Sequence, residues 1–512
     1  MKYAQPLFFL IFSWMHTAKA QEISVLQEDT SALSQPIRIE FERDIETLNF
    51  TTINGGEDGL MVVKQTSNDD EGDGFEWVIY QLDTMLQIQW EHHFRVPFVY
   101  NYRGWEYSDG NYFLLFSTAL FSNDSYIIYY LDTEYKQVRS YQVFTGVSVK
   151  LSHFEVIGET AIMAGNANAT PVVITFNIID PKPKVVPGIY NSKSELLNLH
   201  IDDEAQRFSV TIREKLHDRK HTVKVKTFNL ENRELYSNRV APLAERNIID
   251  GATTQFEAGY QYIAGGYSSN STQFSEGLYL SKFVDGQQIF ISYYNFSDLL
   301  NFFKYLRPKK EKKIQNKIQK KRDRGKRSKF PYQLVVHDIV EQNNQFFLIA
   351  EAYYNGYESY MTRDQESGMK TIQATIPGFK FSHVTVVAFD TNGQIKWDIS
   401  FSLNDMFKEY LSENVVVLAQ GSELNLHFIE NNEIRSNTVK AEKLLEKEMV
   451  TPVRLFSADE EIGTGETVEE GIVSWYGETM YAYGEQDIVK KDDGIVRKNR
   501  EVYYINKVLL LR

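Results

Sequence analysis

His337, Asp338 and Glu351 are the side chains whose types and spacing best suit acid–base chemistry. They fall in two runs, residues 332–340 and 345–354. Both runs are rich in β-branched and aromatic residues and read as neighbouring strands of one hairpin. Antiparallel pairing would bring the imidazole within reach of a carboxylate, where it can serve as a base or a ligand. The same residues can instead make a hydrogen bond that only fixes the sheet, so they are weak catalytic candidates.

A second candidate is the acidic, glycine-rich run Asn68-Asp69-Asp70-Glu71-Gly72-Asp73-Gly74. Oxygen ligands crowded on a tight turn suit calcium, which makes Asp69, Asp70 and Asp73 weak ligand candidates. The spacing does not match a twelve-residue calcium loop, and a solvated hairpin loop explains the composition as well. No metal or other cofactor is otherwise indicated. His92 and His93 point to opposite faces of any strand, so they do not converge on a metal. Tyr353, Tyr354, Tyr357, Tyr360 and Arg363 open what reads as a long loop reaching Phe379. Rings that stack and polar groups that orient suit a sugar or a peptide. There is no G-x-S-x-G, Walker loop or H-E-x-x-H in the chain. With no cysteine, thiol nucleophiles, thiolate metal sites and disulfides are excluded.

The elements that must position these residues are β-hairpins. Residues 81–90 and 388–397 share Asp, Thr, Gln, Ile and Trp at identical spacing, Asp83 to Trp90 against Asp390 to Trp397. Weaker copies turn near Asp132, Asp180, Asn229 and Asp285. In each, a β-branched and aromatic strand runs into Asp, Asn or Gly and a second strand follows. With a further strand pair upstream, the unit holds about four strands and recurs about every 50 residues, the period of a propeller blade. The fold class is therefore all-β. Eight blades are expected, or seven if residues 411–440 are only an insertion. The alternating run at residues 37–45 has no earlier partner. Pairing it with residues 501–508 would close the ring and leave no raw edge.

Residues 297–330 break the pattern. Ser297-Asp298 can cap a helix through Leu299, Phe302, Phe303 and Leu306. Residues 304–329 then hold 14 Lys or Arg against two acids, in a chain whose formal charge is −14. Lys309, Lys310, Lys312, Lys313, Lys320, Lys321, Arg322 and Arg324 form a cationic arm on an acidic body. The arm can be merely solvated, can lie on its own body, or can meet an anionic surface.

Lys2, the apolar run 7–15 and Ala18-Lys19-Ala20 read as a secretory signal peptide over residues 1–20. No later apolar run is long enough for a transmembrane helix. Residues 21–512 then form one propeller domain, exported to the periplasm or the cell surface, and nucleic acid is set aside as a partner. The arm, Tyr332 to Glu341, Ala350 to Tyr354 and Val386 to Trp397 resemble a group of uncharacterised exported propeller-like proteins of Gram-negative bacteria. That resemblance implies an exported β protein and no assigned activity. The reading that follows is a non-catalytic binding or scaffold propeller recognising a glycan, peptide or protein on one face. Its alternative is a propeller-fold hydrolase or lyase acting on glycans or peptides. An enzyme requires acids or histidines converging at the channel, with displaced pKa values.

Overall fold

The computed structural model describes residues 33–511 apart from 68–72, 119–122, 217–219, 244–245, 257–258, 364–369, 421–422, 441–442, 445–447, 464–468 and 493–494. The signal-peptide segment 1–20 therefore lies outside the described residues, as do Asp69 and Asp70.

The hairpin turns form as their chemistry dictates. Asp83 Oδ1 accepts from the backbone N–H of Met85 and of Gln87 at 2.8 and 2.9 Å. Asp390 Oδ1 accepts from Asn392 and Gln394 in the same way, both at 2.9 Å. Leu86 and Gly393 take the positive φ that this turn needs. Asn229 repeats it, accepting from Arg233 N–H at 2.9 Å with Asn232 at φ 63°.

Eight antiparallel sheets result. Blade 1 shows the plan, with strands Thr47–Asn54, Leu60–Thr66, Gly74–Leu82 and Ile88–Pro97 in sequential order. Strand Gln137–Ile157 serves two sheets, closing blade 2 with its first half and opening blade 3 with its second. Blades 4 to 7 follow from Ser194, Asn247, Gln333 and Val416. Blade 7 contains the residue 411–440 unit, which is a full blade and makes the count eight rather than seven.

The apolar core is divided among eight clusters, each shared by two consecutive blades. Ile53, Met61 and Trp77 of blade 1 meet Tyr112, Leu114 and Phe116 of blade 2. The series runs round the chain until Tyr481, Tyr503 and Ile505 of blade 8 meet Phe50, Leu60 and Val62 of blade 1. Sheets packed face to face in a closed series make a β-propeller.

The ring closes at the expected seam. Leu33–Arg43 is the outer strand of blade 8, with Ile37 opposite Lys507 and Arg43 opposite Glu501. Arg38 is buried there. Its guanidinium donates to Glu40 at 2.6 Å, Gln486 at 2.8 Å, Asn506 at 3.1 Å and the Arg454 carbonyl at 3.0 Å. A buried cation with this many acceptors is tolerated, and it ties the N-terminal strand to blades 7 and 8 at once.

The insertion differs from expectation at its start. Ser297-Asp298 does not cap a helix, and residues 299–306 form turns. Asp398 of blade 6 takes the N–H groups of Leu300 and Asn301 at 2.9 and 2.7 Å, holding that backbone away from a helical path. Leu299, Phe302 and Phe303 are spent in the core between blades 5 and 6. The α-helix begins at Pro308, whose missing N–H costs nothing in a first turn, and runs as Pro308–Arg322. Ile318, 6% exposed, anchors it to the same core.

Candidate functional site on the propeller axis

The first strand of each blade is the innermost. First strands of neighbouring blades approach one another, whereas the fourth strands carry the exposed residues. Residues three positions before the turn that ends a first strand therefore recur at one level of the channel. Glu106 precedes the turn at Asp109, Glu155 the turn at Gly158, and His200 the turn at Asp203. Three consecutive blades thus place two carboxyls and an imidazole at equivalent positions.

Blade 6 supplies the fourth group. His200 Nδ1 lies 3.2 Å from Asp338 Oδ2, so blades 4 and 6 meet in front of blade 5. The inner strand of blade 5 is interrupted there, as Asn247–Ile248 and Ala252–Thr253. The carboxylate fixes the imidazole orientation, and His200 Nε2 is enclosed with no partner among the described residues. Asp338 itself is about half exposed. A carboxylate on one ring nitrogen and a free second nitrogen is the arrangement of an oriented general base.

The electrostatics separate these groups. Burial, with Glu155 as neighbour, holds the Glu106 carboxyl well above the usual carboxylate range. Burial also raises Glu155, with His200 opposing and Asp338 adding to the rise. The hydrogen bond to Asp338 raises His200 against its own burial. An acid that keeps its proton thus stands in one row with an oriented imidazole and a carboxylate.

His337, Asp338 and Glu351 divide between two roles. His337 Nε2 meets Glu351 at 2.8 Å, as hairpin neighbours should, and His337 Nδ1 lies 3.5 Å from Glu413. Burial is the largest influence on His337 and would lower it, but the Glu351 hydrogen bond and the charges of Glu351, Glu413 and Asp338 together raise the group. Glu351 is fully buried and also accepts from the Asn414 and Val415 N–H groups of blade 7 at 2.8 and 3.0 Å. It is a fastening between blades 6 and 7, and only Asp338 reaches the axis.

The expected tyrosine loop is a β-ribbon. Strands Gln345–Arg363 and Lys370–Asp390 pair along their whole length, with Tyr357 opposite Pro377 and Tyr360 opposite Ala374. Alternating Thr371, Ile372, Thr375 and Ile376 favour extended backbone over a loop. Tyr353 packs edge-on against Phe379, 5.6 Å between ring centres, while Tyr354 and Tyr357 are exposed. The backbone of Arg363 pairs with Lys370. The register carries this ribbon away from Asp338 and off the end of blade 6, so these residues do not join the axial row.

Asp73 precedes strand Gly74–Leu82, where its carbonyl accepts from Phe98 N–H at 3.0 Å. Among the described residues, no three His, Asp or Glu cluster as metal ligands. His93 sits on the outer strand of blade 1 between Glu76 and Glu91, at 3.2 and 3.1 Å. Sequence reading missed Glu106, Glu155 and His200, because each stands alone in its segment. The available signal was their shared offset from successive turns.

Neither a protein-family model nor a curated protein matches the chain. Among solved structures it is similar to the β-propeller domain of the Trilobed protease of Pyrococcus furiosus. The TM-score is 0.35 at 7% identity, over 78% of this chain and 95% of that one. It is also similar to a prolyl endopeptidase, with TM-score 0.36 and 10% identity over 87% of this chain and 54% of that one. For an acylaminoacyl peptidase of Pyrococcus horikoshii the TM-score is 0.34 at 7% identity, over 78% of this chain and 52% of that one. The chain spans about half the length of these last two peptidases. These three solved structures come from peptidases, while another that it is similar to comes from a nidogen/laminin complex. The expectation of a non-catalytic binding or scaffold propeller is corrected on the chain's own axis, which gathers acids and a histidine. Among the described residues, no helix is long and apolar enough to cross a membrane.

Proposed function

We propose that the chain is an exported propeller-fold hydrolase whose acid–base site is the axial row Glu106, Glu155, His200 and Asp338, acting on a peptide or glycan that enters the channel. The observation that carries this reading is the His200–Asp338 contact between blades 4 and 6, with His200 Nε2 enclosed and without a partner among the described residues. In the proposed step, His200 Nε2 takes a proton from water as its oxygen attacks the scissile carbon. Glu106 gives its proton to the departing nitrogen or oxygen as that bond breaks. Glu155, between them, stabilises the imidazolium and returns the protons through water. Of the two substrate classes, the acidic lining favours a peptide whose terminal or side-chain ammonium group faces it. The export signal and the likeness to exported propeller-like proteins support a periplasmic or surface setting. The basic insertion adds an anionic contact, argued below.

The test is digestion of peptide and glycan libraries by the whole chain, read by mass spectrometry. Cleavage should fall about 10²–10⁴-fold in His200→Asn and in Asp338→Asn, with melting temperatures unchanged. Absence of cleavage by the unaltered protein in both libraries would end the proposal.

A further inference from the structure

The helix Pro308–Arg322 shows which of its faces is free. Glu311, Ile314, Gln315 and Ile318 turn toward the body, and Ile318 is buried. The opposite side presents Lys309, Lys312, Lys313, Lys317, Lys320 and Arg324 as one continuous stripe that lines an open groove. Fifteen residues at helical rise make the helix about 22 Å long.

The arm does not spend this charge on its own acidic body. Three ion pairs involve it among the described residues. Lys304 pairs with Glu311 within the arm, Arg322 with Asp298, and Lys329 with Glu276. None of these uses a cation of the stripe. Lys317 Nζ rests over the Phe330 ring, 5.7 Å from its centre, and meets no carboxylate among the described residues. Like charges held along one face repel, so the arrangement is costly unless an anionic counterpart offsets it.

We propose that this stripe is an electrostatic docking face for an anionic lipid bilayer. Two features select a bilayer over a discrete polyanion. The stripe has one Arg among lysines, and lysine is a hydrated point charge that answers a diffuse surface potential, whereas arginine's fork suits individual phosphate or sulfate groups. The helix lies on the body with Ile318 already buried, so the outward side of the helix is dominated by its lysines.

The experiment is co-sedimentation of the whole chain with vesicles of phosphatidylcholine, and with vesicles containing about one-third phosphatidylglycerol. Binding to the second alone, declining steeply with added salt, is the expected result. The variant carrying Lys312→Gln, Lys313→Gln, Lys317→Gln and Lys320→Gln should bind about a hundredfold more weakly or less, with an unchanged melting temperature. Equal binding to both vesicles, undiminished binding by that variant, or retention on heparin without vesicle binding would overturn the proposal.

Discussion

Glu106 is a residue whose environment departs far from its chemistry in water, and its role can be separated from its cost. Its folded-state pKa is raised, by burial first and Glu155 second. A carboxyl of this kind contributes fully to stability below the ordinary glutamate range, and that contribution is lost as pH rises through the displaced value. The protein should therefore lose stability from mildly acidic into alkaline pH. Glu106→Gln should flatten that decline, as urea unfolding at a series of pH values would report. An unaltered slope would mean that Glu106 titrates normally. Little of this was legible beforehand. A hairpin pairs His337 with Glu351 through short-range rules, so that contact could be anticipated. Glu106, Glu155 and His200 meet only because three blades turn at matching positions, a long-range fact that no local spacing records.

The elements were more legible than the site. Asp83 and Asp390 each bind two backbone N–H groups in the same turn, so their shared motif was a structural statement. The tyrosine ribbon was misread because two strands of about twenty residues exceed ordinary strand length. The helical insertion was misread at Ser297, because the hydrogen bonds from Leu300 and Asn301 go to Asp398, about a hundred residues away. Its anchoring yields a prediction. Ile318→Ala should destabilise the protein by about 2–5 kcal/mol, measured by chemical denaturation, because it opens a cavity in the core between blades 5 and 6. A change near zero would show the helix to be only loosely seated. At the seam, Arg38→Ala should cost about 3–5 kcal/mol, since it leaves Glu40, Gln486 and Asn506 without their shared donor.

At the scale of the whole molecule, eight sheets share eight cores, and none of them is complete without its neighbour. Removing residues 33–43 would strip blade 8 of its outer strand and bare the edge of Ile495–Leu510. Scanning calorimetry of that truncation should show a lower, broader transition than the intact chain. A single sharp transition at the original temperature would show that closure is not what holds the ring. The ring also gives the axial site its meaning, because only closure brings blades 2, 3, 4 and 6 to one axis. The most direct test of the account is the pH dependence of kcat/KM for a cleaved substrate, measured for the unaltered protein and for Glu106→Gln. The account predicts a bell-shaped profile for the first. For the second it predicts a rate about 10²–10⁴-fold lower with the alkaline limb gone. Superimposable profiles of equal height would contradict it.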